Sequence, residues 1–465
     1  MNNENIAQLI HQHLNENPDY YPMNDIGASR LFYKCFQHRI IYVQETKCWY
    51  IYKKYRWVKD DANLLIMEVG KHFVMAFTKY ALSQENEELI KFATRLCSRA
   101  RRESIIKDAC SIAPKSLTVF DANPYLFNCK NGTYNLMSKA LQEHNPKDYI
   151  TKASNVIYDP NADCERWKTF ISEIMKGNTD NEKFLQKSFG YSLSGETNLE
   201  CFFIFYGSTT RNGKSTACET ISHVLGDYST HAQAKTVAKN NRDGSSATPD
   251  IARLKGARFV TMAEPEKGLE IDVSLIKQLT GGDKYTGRFL NENPIEFKPE
   301  FKIFINTNHL PRVNDDTIFT SERVKILPFE RHFNPEEQDT GLKDQFKKPE
   351  MMSGIFNWLA EGYALLKAEG LSTPTAVLDA TREYREESDT IGTFLEDNIC
   401  DAEGCRLPTS KLYKIYKEWS TDNGYRPLNV KNFVAEMRKR YEVRRNGTRG
   451  NEIIEIDLLP INRPW

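Results

Sequence analysis

The run Cys201-Phe-Phe-Ile-Phe-Tyr206 leads into Gly207-Ser-Thr-Thr-Arg-Asn-Gly213-Lys214-Ser215, and a helix-like stretch continues to Leu225. Apolar strand, glycine-bounded loop and helix, in that order, form the context in which a nucleoside triphosphate is held. The N–H groups of such a loop and of the helix start point at the β- and γ-phosphates. Lys214 adds a point charge, and the Ser215 hydroxyl completes a Mg²⁺ shell. The expected cradle is Gly207, Ser208, Thr209, Thr210, Arg211, Asn212, Gly213, Lys214, Ser215 and Thr216, with ATP and Mg²⁺ as its ligands. Five residues separate Gly207 from Gly213, one more than in the pattern G-x-x-x-x-G-K-[ST]. Either the loop carries an insertion, or Ser208 tolerates the turn where the first glycine belongs.

Downstream, Arg258-Phe-Val-Thr-Met-Ala-Glu-Pro-Glu266 reads as a second buried strand that ends in carboxylates. Beside a phosphate loop, one such carboxylate holds the Mg²⁺ shell and its neighbour orients the attacking water. Glu264 and Glu266 are the candidates, with Glu264 nearer the strand. Two strand-like runs then flank Asn291-Glu-Asn293, which predicts a hairpin over 285–297. A further strand, Phe301-Lys-Ile-Phe-Ile305, ends in Asn306-Thr-Asn308, where an amide can sense the γ-phosphate. Finally, Ser321-Glu-Arg323-Val-Lys-Ile-Leu-Pro328 sets Arg323 just before a last apolar strand, a position from which it could meet a neighbouring subunit's nucleotide.

With 465 residues the chain is long enough for two to four domains. Lys and Arg number 63 and so do Asp and Glu, a balance that leaves nucleic-acid binding to local patches rather than to net charge. The ten cysteines are scattered without a Cys-x-x-Cys pair, which argues against a zinc site and for reduced thiols in a cytoplasmic protein. No run approaches the ~20 apolar residues needed to cross a bilayer, so no membrane partner is expected. The start, Met1-Asn-Asn-Glu-Asn5, lacks the basic and apolar segments of a signal peptide.

Residues 1–190 read as an α+β domain, with short strands near 39–43, 49–52 and 55–57, helices over 61–110 and a hairpin at Asn131-Gly132. Its acidic residues Asp60, Asp61 and Asp159 are expected in polar turns rather than on strands where paired carboxylates could hold two metals. Residues 191–345 alternate strands and helices as a parallel sheet does. Residues 346–375 read as a helical linker. Residues 376–465 read as helices at 390–399, 410–420 and 430–440, a basic Arg444-Arg-Asn-Gly-Thr-Arg-Gly450 and a strand at 453–457.

The order of motifs resembles superfamily 3 helicases, in particular the helicase part of primase–helicases of satellite phages, plasmids and poxviruses. The resemblance rests on Asn-Gly-Lys-Ser at 212–215, Pro-Asp-Ile-Ala-Arg-Leu-Lys-Gly at 249–256 and Ala-Glu-Pro-Glu-Lys-Gly at 263–268. Leu-Thr-Gly-Gly-Asp at 279–283, Asn-Thr-Asn-His-Leu-Pro at 306–311 and Glu-Arg-Val-Lys-Ile-Leu-Pro-Phe at 322–329 complete it. The stretch from Trp49 to Trp57 and the segment from Asn131 to Thr151 resemble the family's pre-helicase domain, and the C-terminal region resembles its winged-helix tail.

That resemblance implies an AAA+ type P-loop core that assembles as a ring, usually a hexamer, with ATP between subunits. It makes Lys214, Glu264, Glu266, Asn308 and Arg323 the catalytic set, with Asn308 as sensor and Arg323 as a finger donated in trans. It implies a replicative DNA helicase of a phage or mobile element, moving on single-stranded DNA. It also puts the 285–297 hairpin in a central channel. The family's better-known viral members carry a lysine at the hairpin tip, whereas this tip is Asn291-Glu292-Asn293 with Lys284 and Arg288 the nearest cations. Lys284, Arg288, Asn291 and Asn293 are therefore all candidates for the DNA contact.

In the tail, Val430–Arg440 would be a recognition helix carrying Lys431, Arg438, Lys439 and Arg440, with Arg444, Arg445 and Arg449 in a wing for forked or origin duplex DNA. A protein-docking tail is the competing reading of that basic face. Because no paired metal-binding carboxylates precede residue 190, any priming is expected to need a separate primase. Two other functions fit parts of the pattern. One is an origin-binding initiator whose ATP mainly drives assembly. The other is a packaging-type P-loop motor, against which the hairpin before the sensor strand argues.

Overall fold

The computed structural model describes residues 3–239, 248–289, 294–425, 427–447 and 450–459. The N-terminal third is built from α1 (Asn3–Glu16), α2 (Asp25–Phe36), an antiparallel sheet of β1 (Ile40–Val43), β2 (Cys48–Lys53) and β3 (Arg56–Asp60), then α3 (Leu64–Ser83), α4 (Glu87–Leu96) and α5 (Arg99–Ala109). Strand alternation sorts its aromatics. Trp49 and Ile51 join the helical core, while Tyr50 and Trp57 point the other way and pack with Phe120. A second antiparallel sheet follows, β4 (Leu126–Cys129), β5 (Gly132–Asn135) and β6 (Ala140–Gln142), turning at the expected Asn131-Gly132.

α6 (Glu165–Ile174) and α7 (Thr179–Tyr191) lead into the central layer. Its elements are β7 (Phe202–Tyr206), α8 (Lys214–Leu225), β8 (Ser229–Ala232), α9 (Pro249–Ala252), β9 (Phe259–Met262), α10 (Val273–Thr280), the hairpin strands β10 (Tyr285–Gly287) and β11 (Ile295–Phe297), β12 (Lys302–Thr307), α11 (Thr317–Thr320) and β13 (Val324–Pro328). Five of the strands form one parallel sheet in the order β13-β7-β12-β9-β8. The near-continuous apolar run of β7 follows from its central place, since both of its faces are covered. Phe203 and Phe205 face the cluster under α6 to α8, and Phe202 and Ile204 face the cluster containing Ile276 and Ile318. This is a mixed α/β fold around a P-loop-like core.

The apolar cluster does not stop near residue 190. It joins Phe127 and Trp167 to Phe203, Phe304 and Phe356 across the expected boundary. The segment read as a linker is instead α12 (Leu342–Phe346) and α13 (Pro349–Glu369), the latter a buried helix lying along α7. Small residues set that approach, because a Cβ at Gly362 would fall 2.4 Å from the Gln186 carbonyl oxygen and one at Gly190 2.5 Å from the Tyr363 nitrogen. Two buried basic side chains fasten the end of α7 beneath the sheet. Arg258 donates to the Leu193 carbonyl, and Lys302 donates to the carbonyls of Ser194, Glu196 and Glu300. The Arg258 guanidinium complements the helix dipole there, while burial and the neighbouring Arg258 push the Lys302 pKa well below its ordinary value.

α14 (Thr375–Ser388) also belongs to the core. Its Thr381 hydroxyl accepts from the Ile326 N–H at 3.3 Å, and Val377 and Tyr384 are buried among core residues. The C-terminal unit proper therefore begins after Ser388, not at 376. It comprises α15 (Thr390–Asn398), β14 (Ile399–Pro408), α16 (Thr409–Asp422), α17 (Val430–Arg440), β15 (Val443–Asn446) and β16 (Gly450–Leu458), with the three strands in the order β14-β16-β15 around their own apolar cluster. Among the described residues no helix is long and apolar enough to cross a membrane.

Candidate nucleotide site and nucleic-acid interface

At the C-terminal end of β7 the chain leaves the sheet through Gly207 and re-enters order at α8. Gly207 is confined, since a Cβ there would lie 2.4 Å from Asn212 Nδ2 and 2.6 Å from the Phe329 carbonyl oxygen. Gly213 takes φ +86° at the N-cap of α8, and a Cβ there would strike Ile174 Cγ2 at 2.4 Å. The other left-handed residue of the loop is Arg211 at φ +57°; Ser208 is not left-handed. The longer loop thus needs no glycine at 208. Buried Asn212 braces it internally by donating to the Thr209 carbonyl at 2.7 Å. From outside, the Phe333 N–H donates to the Arg211 carbonyl at 3.0 Å, and His332 Nδ1 lies 2.8 Å from that of Thr210. α8 begins with no side-chain cap, so its first N–H groups remain open to an anion.

Lys214 is 6% exposed, and its ammonium donates to Asn308 Oδ1 at 2.7 Å and to the Gly207 carbonyl at 3.3 Å. Among the described residues it makes no ion pair, and burial pushes its pKa down to about 8, against a smaller opposing pull from Glu264. A phosphate would supply the countercharge this buried cation lacks. Glu264, just past β9, accepts from the Asn308 N–H at 3.1 Å, with the Asn308 amide nitrogen 3.5 Å from its second oxygen. The ends of β7, β9 and β12 thereby bring Lys214, Glu264 and Asn308 together.

These residues line a cleft of about 870 Å³ that also includes Thr210, Arg211, Asn212, Ser215 and Asn306. Exposed Ser215 and Glu264 offer it a hydroxyl and a carboxylate, the donor set for a hard cation such as Mg²⁺. Glu266 is exposed and is not among the cleft-lining residues. The sequence carries no signal for the outer brace at 332–333, because those residues lie far along the chain and meet only backbone carbonyls of the loop. Asn212 was legible only as a member of the loop.

Arg323 is not free. Its guanidinium is 15% exposed and pairs with the Glu200 carboxylate, while Nη1 donates to the Glu200 carbonyl at 3.2 Å and to Thr280 Oγ1 at 3.0 Å. It precedes β13, so it lies at the opposite end of the parallel sheet from Lys214.

Of the expected DNA contacts, Asn291 and Asn293 lie outside the described residues. Lys284 is exposed and pairs with Glu296 across the hairpin at 3.4 Å. Arg288 is half-buried and its backbone pairs with Thr248. In the C-terminal unit Lys431, Arg438, Arg444 and Arg445 are exposed, with Arg444 paired to Glu442 at 2.6 Å. Arg449 lies outside the described residues. Arg440 is committed elsewhere, making two 2.7 Å bonds to Asp389, and Lys439 pairs with Glu436 at 2.7 Å.

Comparison with known proteins places these features. The family described as D5 N terminal like matches residues 29–176, the one described as Poxvirus D5 protein-like matches 386–450, and DUF5906, a family of unknown function, matches 205–323. The helicase-named protein L207/L206 of Acanthamoeba polyphaga mimivirus is 27% identical over 438 residues, covering 86% of this chain and 45% of that one. The primase-named protein C962R of African swine fever virus is 21% identical over 416 residues, covering 81% and 43%. These matches support a primase–helicase-like protein of the superfamily 3 type. The apo A form of the NrS-1 C-terminal region shares the fold of this chain with a TM-score of 0.53 at 10% identity, over 92% of this chain and 99% of that one. The chain spans less than half the length of the curated relatives it matches.

Proposed function

We propose that this chain is an ATP-dependent replicative DNA helicase of a virus or mobile element, an AAA+ type motor that works as a ring on single-stranded DNA. The observation that carries the reading is the meeting of Lys214, Asn308 and Glu264 at one end of a parallel sheet, with a hairpin inserted just before the sensor strand. Lys214 and the open start of α8 hold the phosphates. Ser215 and Glu264 face a bound Mg²⁺. Asn308, which already touches both Lys214 and Glu264, reports the γ-phosphate. Arg323 serves a neighbouring subunit's nucleotide once it leaves Glu200. The unit after Ser388 reads as a winged helix, because its order of helix, strand, two helices and two strands sets α17 as recognition helix and β15–β16 as wing, with Lys431, Arg438 and Arg445 for duplex phosphates.

That duplex-binding surface favours the origin-binding initiator as the second reading, and one comparison separates the two. ATPase activity is measured with and without single-stranded DNA, beside the native mass of the assembly. A motor hydrolyses faster on single strands and does so as a ring. An initiator assembles on ATP with turnover indifferent to single-stranded DNA.

A further inference from the structure

Arg323 joins three elements that the chain keeps far apart. Its backbone carbonyl accepts from the Phe202 N–H at 2.8 Å, at the start of the phosphate-loop strand β7. Its guanidinium pairs with Glu200, which leads into that strand, and reaches the Thr280 hydroxyl at the end of α10. That hydroxyl in turn donates to the Ile276 carbonyl at 2.8 Å, so the arginine is tied to the helix backbone through it. Thr280 is buried, and only Gly281 to Lys284 separate it from the first hairpin strand.

The hairpin root rests on the same segment. At Gly282, φ is +77° and a Cβ would fall 3.4 Å from Thr197 Oγ1 and 3.6 Å from Lys298 Cε, just beyond the second hairpin strand. The turn before β7 thus lies close beside the hairpin root at Thr197 and is tied to Thr280 through Arg323. Two of the residues around the guanidinium, Glu200 at φ +47° and Glu322 at φ +54°, hold left-handed backbone without being glycine. Such conformations persist only where neighbouring contacts enforce them.

We propose that Glu200 and Thr280 are positioning residues that hold Arg323 between the phosphate-loop strand and the hairpin root, so that displacement of the hairpin by single-stranded DNA moves Arg323 and alters ATP turnover. This rests on the helicase reading above. Thr280 is the link to the hairpin, and Glu200 is the latch that must open for Arg323 to reach another subunit.

The test uses the full chain with Thr280→Val, which keeps the shape and removes the hydroxyl, and Thr280→Ser, which restores it. ATPase is measured with and without a single-stranded oligonucleotide, and oligonucleotide affinity is measured separately. Thr280→Val is expected to keep basal turnover and affinity within about twofold and to lose the stimulation, while Thr280→Ser recovers it. Glu200→Gln, with the latch weakened, is expected to raise turnover without DNA. Full stimulation in Thr280→Val overturns the relay, and so does an equal fall in basal turnover, which would make the contact merely structural. A wild-type chain whose ATPase ignores single-stranded DNA defeats the helicase reading itself, a result distinct from either.

Discussion

The Lys214 ammonium donates to Asn308 Oδ1 at 2.7 Å, so the Asn308 amide occupies the lysine. Nucleotide binding must exchange that neutral acceptor for an anionic one, and the exchange is visible as proton uptake. Burial pushes the Lys214 pKa down to about 8, and a bound phosphate restores the charged form. Mg·ATP affinity should therefore fall as pH rises above about 8, by up to about tenfold per unit. Lys214→Met, which has no proton to lose, should bind weakly and without that slope. The apo protein should behave in the opposite sense. Between about 8 and the unfolded lysine value near 10.4, the unfolded chain binds more protons, so apo stability rises with pH. Calorimetric affinity and thermal unfolding across pH 7.5–10 check both arms.

The two carboxylates after β9 are inequivalent. Glu264 is engaged by Asn308 and lines the cleft, whereas Glu266 is exposed and is not among the cleft-lining residues. Glu264→Gln should lower ATP turnover by about a hundredfold or more and weaken Mg·ATP binding, and Glu266→Gln should stay within a few-fold of wild type. Steady-state ATPase beside nucleotide binding reads the difference.

Truncation should reveal where the motor ends. Removing everything after Ser388 leaves α14 in place, and the remaining chain should stay folded and hydrolyse ATP while losing duplex affinity and the salt dependence that accompanies it. Cutting after Ser372 removes Val377 and Tyr384 from the core, two large buried side chains together worth roughly 3–6 kcal/mol. That shorter chain should unfold at a markedly lower temperature. Thermal melts and salt titrations of duplex binding check the pair.

Local signals carried much of this architecture. Gly207 to Ser215 after an apolar run located the strand–loop–helix turn, and the strand ends at Glu264 and Asn308 were readable from polar residues closing apolar runs. What stayed hidden depends on contacts between distant segments. The packing of α13 on α7 at Gly362 and Gly190 turned an apparent linker into core, because a helix that buries most of its surface shows no clean polar face. The basic run at the end of α17 looked uniformly available for DNA, yet Arg440 is bonded to Asp389, a partner 51 residues away. Arg323 was legible as an arginine before a strand, but its capture by Glu200 across 123 residues was not.

If Arg323 acts across a subunit boundary, two inactive chains should complement each other. Arg323→Ala is expected to cost about 10³–10⁵ in turnover with a smaller change in nucleotide affinity. Mixed with Lys214→Ala, it should regain measurable ATPase, because one subunit brings an intact loop and the next an intact arginine. Demonstrable mixing with no recovery would assign Arg323 to its own subunit, where Glu200 holds it.

Strand displacement on a forked duplex tests the central claim most directly. Wild-type chain with Mg·ATP should release the labelled strand, a non-hydrolysable ATP analogue should support binding without release, and Lys214→Ala should release none. Displacement by Lys214→Ala at the wild-type rate, or robust single-strand-stimulated hydrolysis with no displacement at any fork geometry, would contradict it.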